Sequence, residues 1–350
     1  MTATESRLAV PPETILARYR GVICDLDGVV YRGSQPVPNA MPTLNTAATG
    51  GVPVVFATNN ASRPPREVGE HLRQLGLGAA GWSVVTSAQA AAVYLRRRLR
   101  PGAEVLAVGG PGVALALHEA GLTPAHASDG TKSSSPEAVV QGAGPDVTWR
   151  DLAEAAYLVE AGAIWVATNL DATVPTARGR APGNGALVGA VRSATSGVPH
   201  VTGKPSAELF DLARARLGTE KWDTIVVGDR LDTDIVGANA AGLDSMLVLG
   251  GASTLRDLAF ADAEARPTYV ACDLSGLAWP GLGTLTPGAE SGIDAGVSAM
   301  GEPFVGRGSG PDLIRTVVLA AWQARQEARE LSDDQATWDS VETSLRARGC

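Results

Sequence analysis

Gly21-Val22-Ile23-Cys24-Asp25-Leu26-Asp27-Gly28-Val29-Val30-Tyr31 is an apolar run that stops in two carboxylates. At the end of a strand, residues i and i+2 point to the same face, so Asp25 and Asp27 share one side. Two like charges held that close repel. They need a cation between them or a shared proton, and they suit one acid as nucleophile and the other as proton donor. Gly28 lets the chain leave the strand in a conformation that other residues resist. By itself the stretch also fits a strand that ends in a solvated acidic turn.

Further segments repeat the design. Val54-Val55-Phe56-Ala57-Thr58-Asn59-Asn60-Ala61-Ser62 is a buried-type strand ending in hydroxyl and amide side chains. Thr58 and the N–H groups of such a turn can hold phosphate oxygens, although a helix N-cap or an Asx turn fits the same residues. In Val201-Thr202-Gly203-Lys204-Pro205 a lysine sits at a stiff turn, where it can neutralise a phosphate or clustered carboxylates. Thr224-Ile225-Val226-Val227-Gly228-Asp229-Arg230-Leu231-Asp232-Thr233-Asp234-Ile235 ends another strand in glycine and acids. A capped turn with solvated acids would read the same way. In a parallel α/β sheet, however, the carboxyl ends of the strands lie side by side and form the site. Acids, a lysine and a Thr-Asn pair gathered there would bind a hard cation and a phosphate. Magnesium fits best, since it favours few carboxylates, some waters and a substrate phosphate.

The chain's 350 residues are enough for two domains and an appendage, and 45 % apolar with 19 % charged residues describes a globular protein with a substantial core. A formal charge of −8 argues against nucleic acid or an anionic membrane as partner, because only Arg96-Arg97-Arg98 and Arg100 cluster positive charge. No run approaches the roughly 18 apolar residues that span a bilayer, and Met1 to Pro12 lack a basic region followed by an apolar one. The expected location is therefore the cytoplasm. Cys24, Cys272 and Cys350 have no metal-ligand spacing and are expected as reduced thiols.

From Gly21 onward, short apolar runs alternate with longer amphipathic ones, the pattern of βαβ units around a parallel sheet. Strands are expected over 21–25, 53–58, 82–86, 104–109, 137–141, 163–168, 223–228, 244–249 and 267–272. Gly109-Gly110-Pro111-Gly112 follows a strand, but Leu115 stands where a dinucleotide loop needs its third glycine, so a tight strand-to-helix turn is expected. Residues 278–310 are rich in Gly, Ser and Pro and read as a long loop, linker or irregular structure. An apolar helix follows over 311–322, packing on the core or making a homo-oligomer, and a polar helix over about 335–347.

The motifs in this order, Asp25-Leu-Asp27-Gly-Val, Thr58-Asn59-Asn60, Gly203-Lys204-Pro205 and Gly228-Asp229-Arg-Leu-Asp-Thr-Asp234, resemble the haloacid dehalogenase superfamily of phosphatases over about residues 19–277. The nearest branch contains the para-nitrophenyl phosphatase-like, phosphoglycolate, pyridoxal phosphate and glycerol-phosphate phosphatases. The resemblance implies an α/β fold with a Rossmann-like parallel-sheet core over 1–86 and 200–277, an α/β cap inserted over 87–199, and a C-terminal extension over 278–350. It implies that Asp25 is the nucleophile forming an aspartyl-phosphate, and that Asp27 protonates the leaving alcohol and then deprotonates the attacking water. Thr58, the Asn59 amide and Asn60 belong to the phosphate site, and Lys204 steadies the phosphate and the charge on Asp25. Magnesium is held by Asp25, the Asp27 carbonyl, Asp229, and Asp234 directly or through water. Asp232 reads as a turn residue.

Ala167-Thr168-Asn169-Leu170-Asp171 resembles the cap's specificity loop, with Asn169 and Asp171 meeting substrate hydroxyls or forming an Asx turn. Gly183-Asn184-Gly185 follows as a flexible turn. Only Trp165 and Tyr157 lie close in sequence, which gives no obvious platform for a ring and favours a small polyol phosphate. The expected activity is thus a magnesium-dependent phosphomonoesterase for glycerol 3-phosphate, with phosphoglycolate, pyridoxal phosphate, nucleotides and sugar phosphates as alternatives. A phospho-receiver module would carry its motifs in another order without a cap. A silent phospho-ligand binding or scaffolding protein would be free to lose Asp25, Asp27, Lys204 and Asp229.

Overall fold

The apolar runs become strands buried on both faces, as parallel sheets flanked by helices require. The computed structural model describes residues 13–129, 136–176, 178–285, 295–298, 300–306 and 310–348. These form two compact units, one drawn from Met1–Val55, Leu75–Trp82 and Leu217–Cys350, the other from Phe56–Gln74 and Ser83–Arg216. No described helix is long and apolar enough to cross a membrane.

The first unit holds the parallel strands Tyr269–Ala271, Asp244–Val248, Thr224–Gly228 and Gly21–Cys24, side by side in that order. Cys24 pairs with Val227, and Gly228 with Leu247, so these strands finish at nearly the same level. The sheet continues toward Pro53, whose carbonyl accepts from Val22 N–H at 3.0 Å. All residues of Gly21–Cys24 and Thr224–Gly228 are buried.

The C-terminal extension belongs to this unit's core. It contributes an antiparallel pair, Ala295–Val297 with Pro303–Val305, and the helices Gly310–Gln326 and Gln335–Arg346. Leu313, Ile314, Val317, Val318, Ala321 and Trp322 follow helical spacing and form one apolar face, as the sequence pattern anticipates. They pack with Leu247, Leu255, Leu258 and Val270. Trp322 Nε1 donates to Leu258 O at 2.9 Å, and Arg325 Nη1 donates to Phe260 O and Ala261 O, carbonyls that close the short helix Leu255–Ala259. Cys24 is a buried thiol whose Sγ donates to Asp25 O at 3.1 Å. Cys272 is disulfide-bonded, which corrects the expectation of a reduced thiol there: spacing along the chain carries no information on which sulfurs approach in space. Cys350 lies outside the described residues.

The second unit is built on the parallel strands His200–Val201, Ile164–Ala167, Ala138–Gln141, Glu104–Val108 and Thr123–Ala125, in that order. Its helices Ser87–Arg96 and Trp149–Glu160 start at capping boxes, Thr86 with Gln89 and Thr148 with Asp151. The Gly109–Gly112 turn is the tight strand-to-helix connection expected. A Cβ on Gly110 would lie 2.2 Å from Ser62 Oγ, and one on Gly112 2.4 Å from Ala61 O, so close packing accounts for these glycines. An exposed hairpin, Thr173–Thr176 with Gly179–Pro182, follows the Asn169 loop.

Candidate active site

In the first unit Asp25 extends its strand by one rung, its N–H donating to Val227 O at 2.8 Å. Gly28 turns the chain away at φ 88° and donates its N–H to Tyr31 O, leaving Asp27 exposed on the turn. Asp229 follows the neighbouring strand and is buried. Its Oδ2 accepts from Ala252 N–H at 2.7 Å and its carbonyl from Ser253 N–H at 2.9 Å. Asp234, also buried, lies in the π-helical turn Leu231–Ile235, and its Oδ2 accepts from Arg230 N–H at 3.1 Å.

One carboxylate oxygen from each of Asp25, Asp229 and Asp234 can be chosen such that all three lie within 4.8 Å of one another. Glycines make that approach possible. A Cβ on Gly28 would sit 2.2 Å from Asp229 Oδ2, one on Gly251 1.9 Å from the same atom, and one on Gly228 2.2 Å from Asp234 Cβ. Three carboxylates at this spacing would repel strongly alone, and an all-oxygen donor set matches a hard divalent cation. Asp232 takes no part. Arg230 grips it through Nε to Oδ1 at 3.0 Å and Nη2 to Oδ2 at 2.7 Å, a pairing that holds its carboxyl below the usual carboxylate range. Sequence reasoning missed Gly251, Ala252 and Ser253. The available signal was Gly250-Gly251 directly after the apolar run 246–249, a strand followed by glycine as near Asp25 and Asp229.

In the second unit Thr58 ends its strand buried, its Oγ1 accepting from Asn60 N–H, and Asn60 Oδ1 accepts from Ser62 N–H. Both are local turns of the Asx and Ser/Thr kind. Asn59 is the centre of a larger network. Its Oδ1 accepts from Lys204 N–H at 2.7 Å, and its Nδ2 donates to Lys204 O and to Asp171 Oδ2, both at 3.1 Å. Its carbonyl accepts from Ser87 Oγ at 2.8 Å and from Asn169 Nδ2 at 2.7 Å. Asn169 in turn forms an Asx turn with Asp171 N–H, and Asn184 Nδ2 donates to Asn169 O at 2.8 Å and Gln141 O at 3.1 Å. The side chains of Asn59 and Asn169 are therefore engaged with the protein itself, fixing the backbone around a buried Lys204. The sequence places Asn184 in a flexible turn beside the Asn169 loop, whereas it is buried and opens the helix Asn184–Arg192; Ser87 was read only as a helix start. Nearby, His200 Nε2 lies 2.8 Å from Glu208 Oε1, and Ser206 Oγ donates to Glu208 Oε2. Burial pushes the Glu208 carboxyl up, but these bonds and its own backbone N–H outweigh that and hold it below its ordinary value.

Acids at the ends of adjacent parallel strands, glycines beneath them and a separate lysine-bearing α/β unit define a class. Residues 22–123 match the pattern of the haloacid dehalogenase-like hydrolases and residues 201–277 that of the HAD-hydrolase-like group, and the chain belongs to this family of hydrolases. Among individual proteins, it is 42 % identical over 323 residues to the D-glycerol 3-phosphate phosphatase of Mycobacterium tuberculosis, covering 89 % of this chain and 88 % of that one. The acid sugar phosphatase of Staphylococcus aureus is 35 % identical over 260 residues, 74 % of this chain and 97 % of that protein. The crystal structure of glycerol phosphate phosphatase from M. tuberculosis in complex with magnesium superposes with a TM-score of 0.81 at 40 % identity, covering 96 % of this chain and 99 % of the other.

Proposed function

We propose that the chain is a magnesium-dependent phosphomonoesterase that hydrolyses glycerol 3-phosphate through an aspartyl-phosphate on Asp25. The observation that carries the reading is the convergence of Asp25, Asp229 and Asp234 at adjacent strand ends. The substrate rests on the 42 % identity to a D-glycerol 3-phosphate phosphatase. It also fits the chemistry near Asn169, where Trp165 is buried against Gln141 Oε1 and offers no face for stacking a ring. Residues 1–86 and 200–277 would carry the catalytic chemistry and 87–199 the cap. A phosphorylated metabolite is too polar to cross a membrane unaided, which favours work in the cytoplasm where such compounds are made.

In the mechanism, a carboxylate oxygen of Asp25 attacks phosphorus, the bond from phosphorus to the ester oxygen breaks, and Asp27 gives its proton to the departing alkoxide. Asp27 then accepts a proton from a water that attacks the acyl phosphate, releasing inorganic phosphate and restoring Asp25. Exposure of Asp27 on its turn suits a group that must exchange protons with substrate and water. Lys204, Thr58 and the backbone of Asn59 and Asn60 neutralise the phosphoryl oxygens. Magnesium, held by Asp25, the Asp27 carbonyl, Asp229 and Asp234, would supply fixed positive charge beside the transferring group.

The test is phosphate release from glycerol 3-phosphate, phosphoglycolate, pyridoxal phosphate, a nucleoside monophosphate and a sugar phosphate, with and without magnesium, beside Asp25→Asn. Preference for glycerol 3-phosphate that requires metal and Asp25 is the expected result. Preference for a sugar phosphate would replace the substrate and keep the chemistry, and release that survives Asp25→Asn would overturn the mechanism.

A further inference from the structure

We propose that the C-terminal helix, Gln335–Arg346, positions the metal ligand Asp229 through Glu342 and Arg346. The proposal rests on the reading of Asp229 as a ligand and gives the extension a task beyond stability. Asp229 is held from one side by the loop Gly250–Thr254: Ala252 N–H reaches its Oδ2 at 2.7 Å, Ser253 N–H reaches its carbonyl at 2.9 Å, and Ser253 Oγ accepts from Leu231 N–H at 3.0 Å. The loop opens on two adjacent glycines, the residues that lose most conformational freedom on ordering, so its geometry must be imposed from its ends.

The C-terminal helix grips both ends. Arg346 Nη2 donates to Leu249 O at 2.9 Å, on the residue just before the loop. Glu342 Oε2 accepts from Leu255 N–H at 3.1 Å, on the residue just after it. Arg346 and Glu342 are themselves paired at 2.6 Å, one helical turn apart, so each holds the other in place. Beneath the polar clamp, Leu249 and Leu255 are buried in one apolar cluster with Trp338, Val341 and Leu345 of the same helix. Between these two anchored residues the chain can vary little, and Gly251 presses against the Asp229 carboxylate. Partners that orient a metal ligand from outside commonly change metal affinity about 10- to 100-fold when removed.

The experiment is calorimetric magnesium binding to the full-length protein without substrate, for wild type, Arg346→Ala, Glu342→Leu, Glu342→Gln and Asp229→Asn. Arg325→Ala is the control for a general loosening of the extension, since Arg325 ties the other helix to Phe260 and Ala261 and touches neither end of the loop. The expected result is a magnesium Kd raised about tenfold in Arg346→Ala and Glu342→Leu. Glu342→Gln, which keeps an acceptor for Leu255 N–H, should lie closer to wild type. Arg325→Ala should lower the melting temperature and leave Kd in place. Wild-type Kd in both clamp variants, or an equal rise in Arg325→Ala, overturns the proposal. Unchanged binding in Asp229→Asn would instead show that Asp229 is no ligand, and the proposal would fall with that reading.

Discussion

Replacing Gly251 by alanine tests the metal-site geometry with a single carbon atom. The new Cβ would lie 1.9 Å from Asp229 Oδ2, 2.3 Å from its Cβ and 2.4 Å from its Cγ. Ordinary contact begins at about 3.5 Å, so loop and carboxylate must separate by roughly 1.5 Å. Asp229 is 2 % exposed and its Oδ2 is bonded to Ala252 N–H, the residue next to the intruding carbon. Turning the carboxylate aside gives up that charge-assisted bond, about 1.5–3 kcal/mol. Magnesium holds its ligands near 2.0–2.1 Å in an almost ideal octahedron and does not follow a displaced oxygen that far. Together these predict magnesium binding roughly 10- to 100-fold weaker in Gly251→Ala. The assay is magnesium titration by calorimetry, with Gly189→Ala as comparison, because a Cβ there meets nothing within 4 Å. Wild-type affinity in Gly251→Ala, with its fold intact, would refute the assignment of Asp229 and of the loop that holds it.

Asn59→Ala removes the acceptor for Lys204 N–H and the donor to Lys204 O and Asp171. Turnover at saturating magnesium should fall about 100-fold, and a steady-state assay giving wild-type kcat would show that Lys204 needs no such bracket. Trp338→Ala deletes one of the largest fully buried side chains, whose Nε1 donates to Ser332 O, and should cost about 3–5 kcal/mol in urea denaturation. A loss below about 1 kcal/mol would mean the extension is not part of the core. Glu208 has a carboxyl held below its ordinary value, so its stabilising share is complete above the unfolded carboxylate range and is lost as pH falls through the lowered folded value. The melting-temperature gap between wild type and Glu208→Gln should therefore be present at neutral pH and close as acidification passes below the ordinary carboxylate range through the lowered folded value. A gap that widens in acid contradicts the sign.

What the sequence disclosed follows the range of the interaction concerned. Gly21–Cys24, Val54–Thr58 and Thr224–Gly228 were legible because burial on both faces leaves continuous apolar runs, and each runs into polar or acidic side chains. Thr123–Ala125 and His200–Val201 were not, since strands of two or three residues, one containing Pro124, leave no pattern and exist because a neighbour pairs with them. Asp25, Asp229 and Asp234 could be named because their motifs resemble those of the family, whereas the engagement of Asn59 with Lys204 spans 145 positions and leaves no local mark. The extension's apolar stripe was legible as a helix face. That Leu249 and Leu255 lie against it was not, because nothing within a stretch of sequence states which distant face will cover it.

The glycines join these two kinds of information. Gly28, Gly228 and Gly251 come from three separate strand ends, and at each a Cβ would fall within 2.2 Å of an atom of Asp229 or Asp234. Gly28 also serves its φ of 88°, but at Gly228 and Gly251, whose φ is not left-handed, glycine costs about 0.5–1 kcal/mol of chain entropy relative to alanine and is unfavourable for folding alone. The three glycines let buried carboxylates stand close together, an arrangement that a cation or a shared proton makes favourable. At Gly28 and Gly251 a glycine shortly after a strand is the local sign of an acid approaching from a neighbouring strand end, and at Gly228 it makes room for Asp234 of the same motif. At Gly28 and Gly228 that sign accompanies an acid in the same motif. At Gly251 it stands without one, and the acid it serves is Asp229, more than twenty residues earlier in the chain.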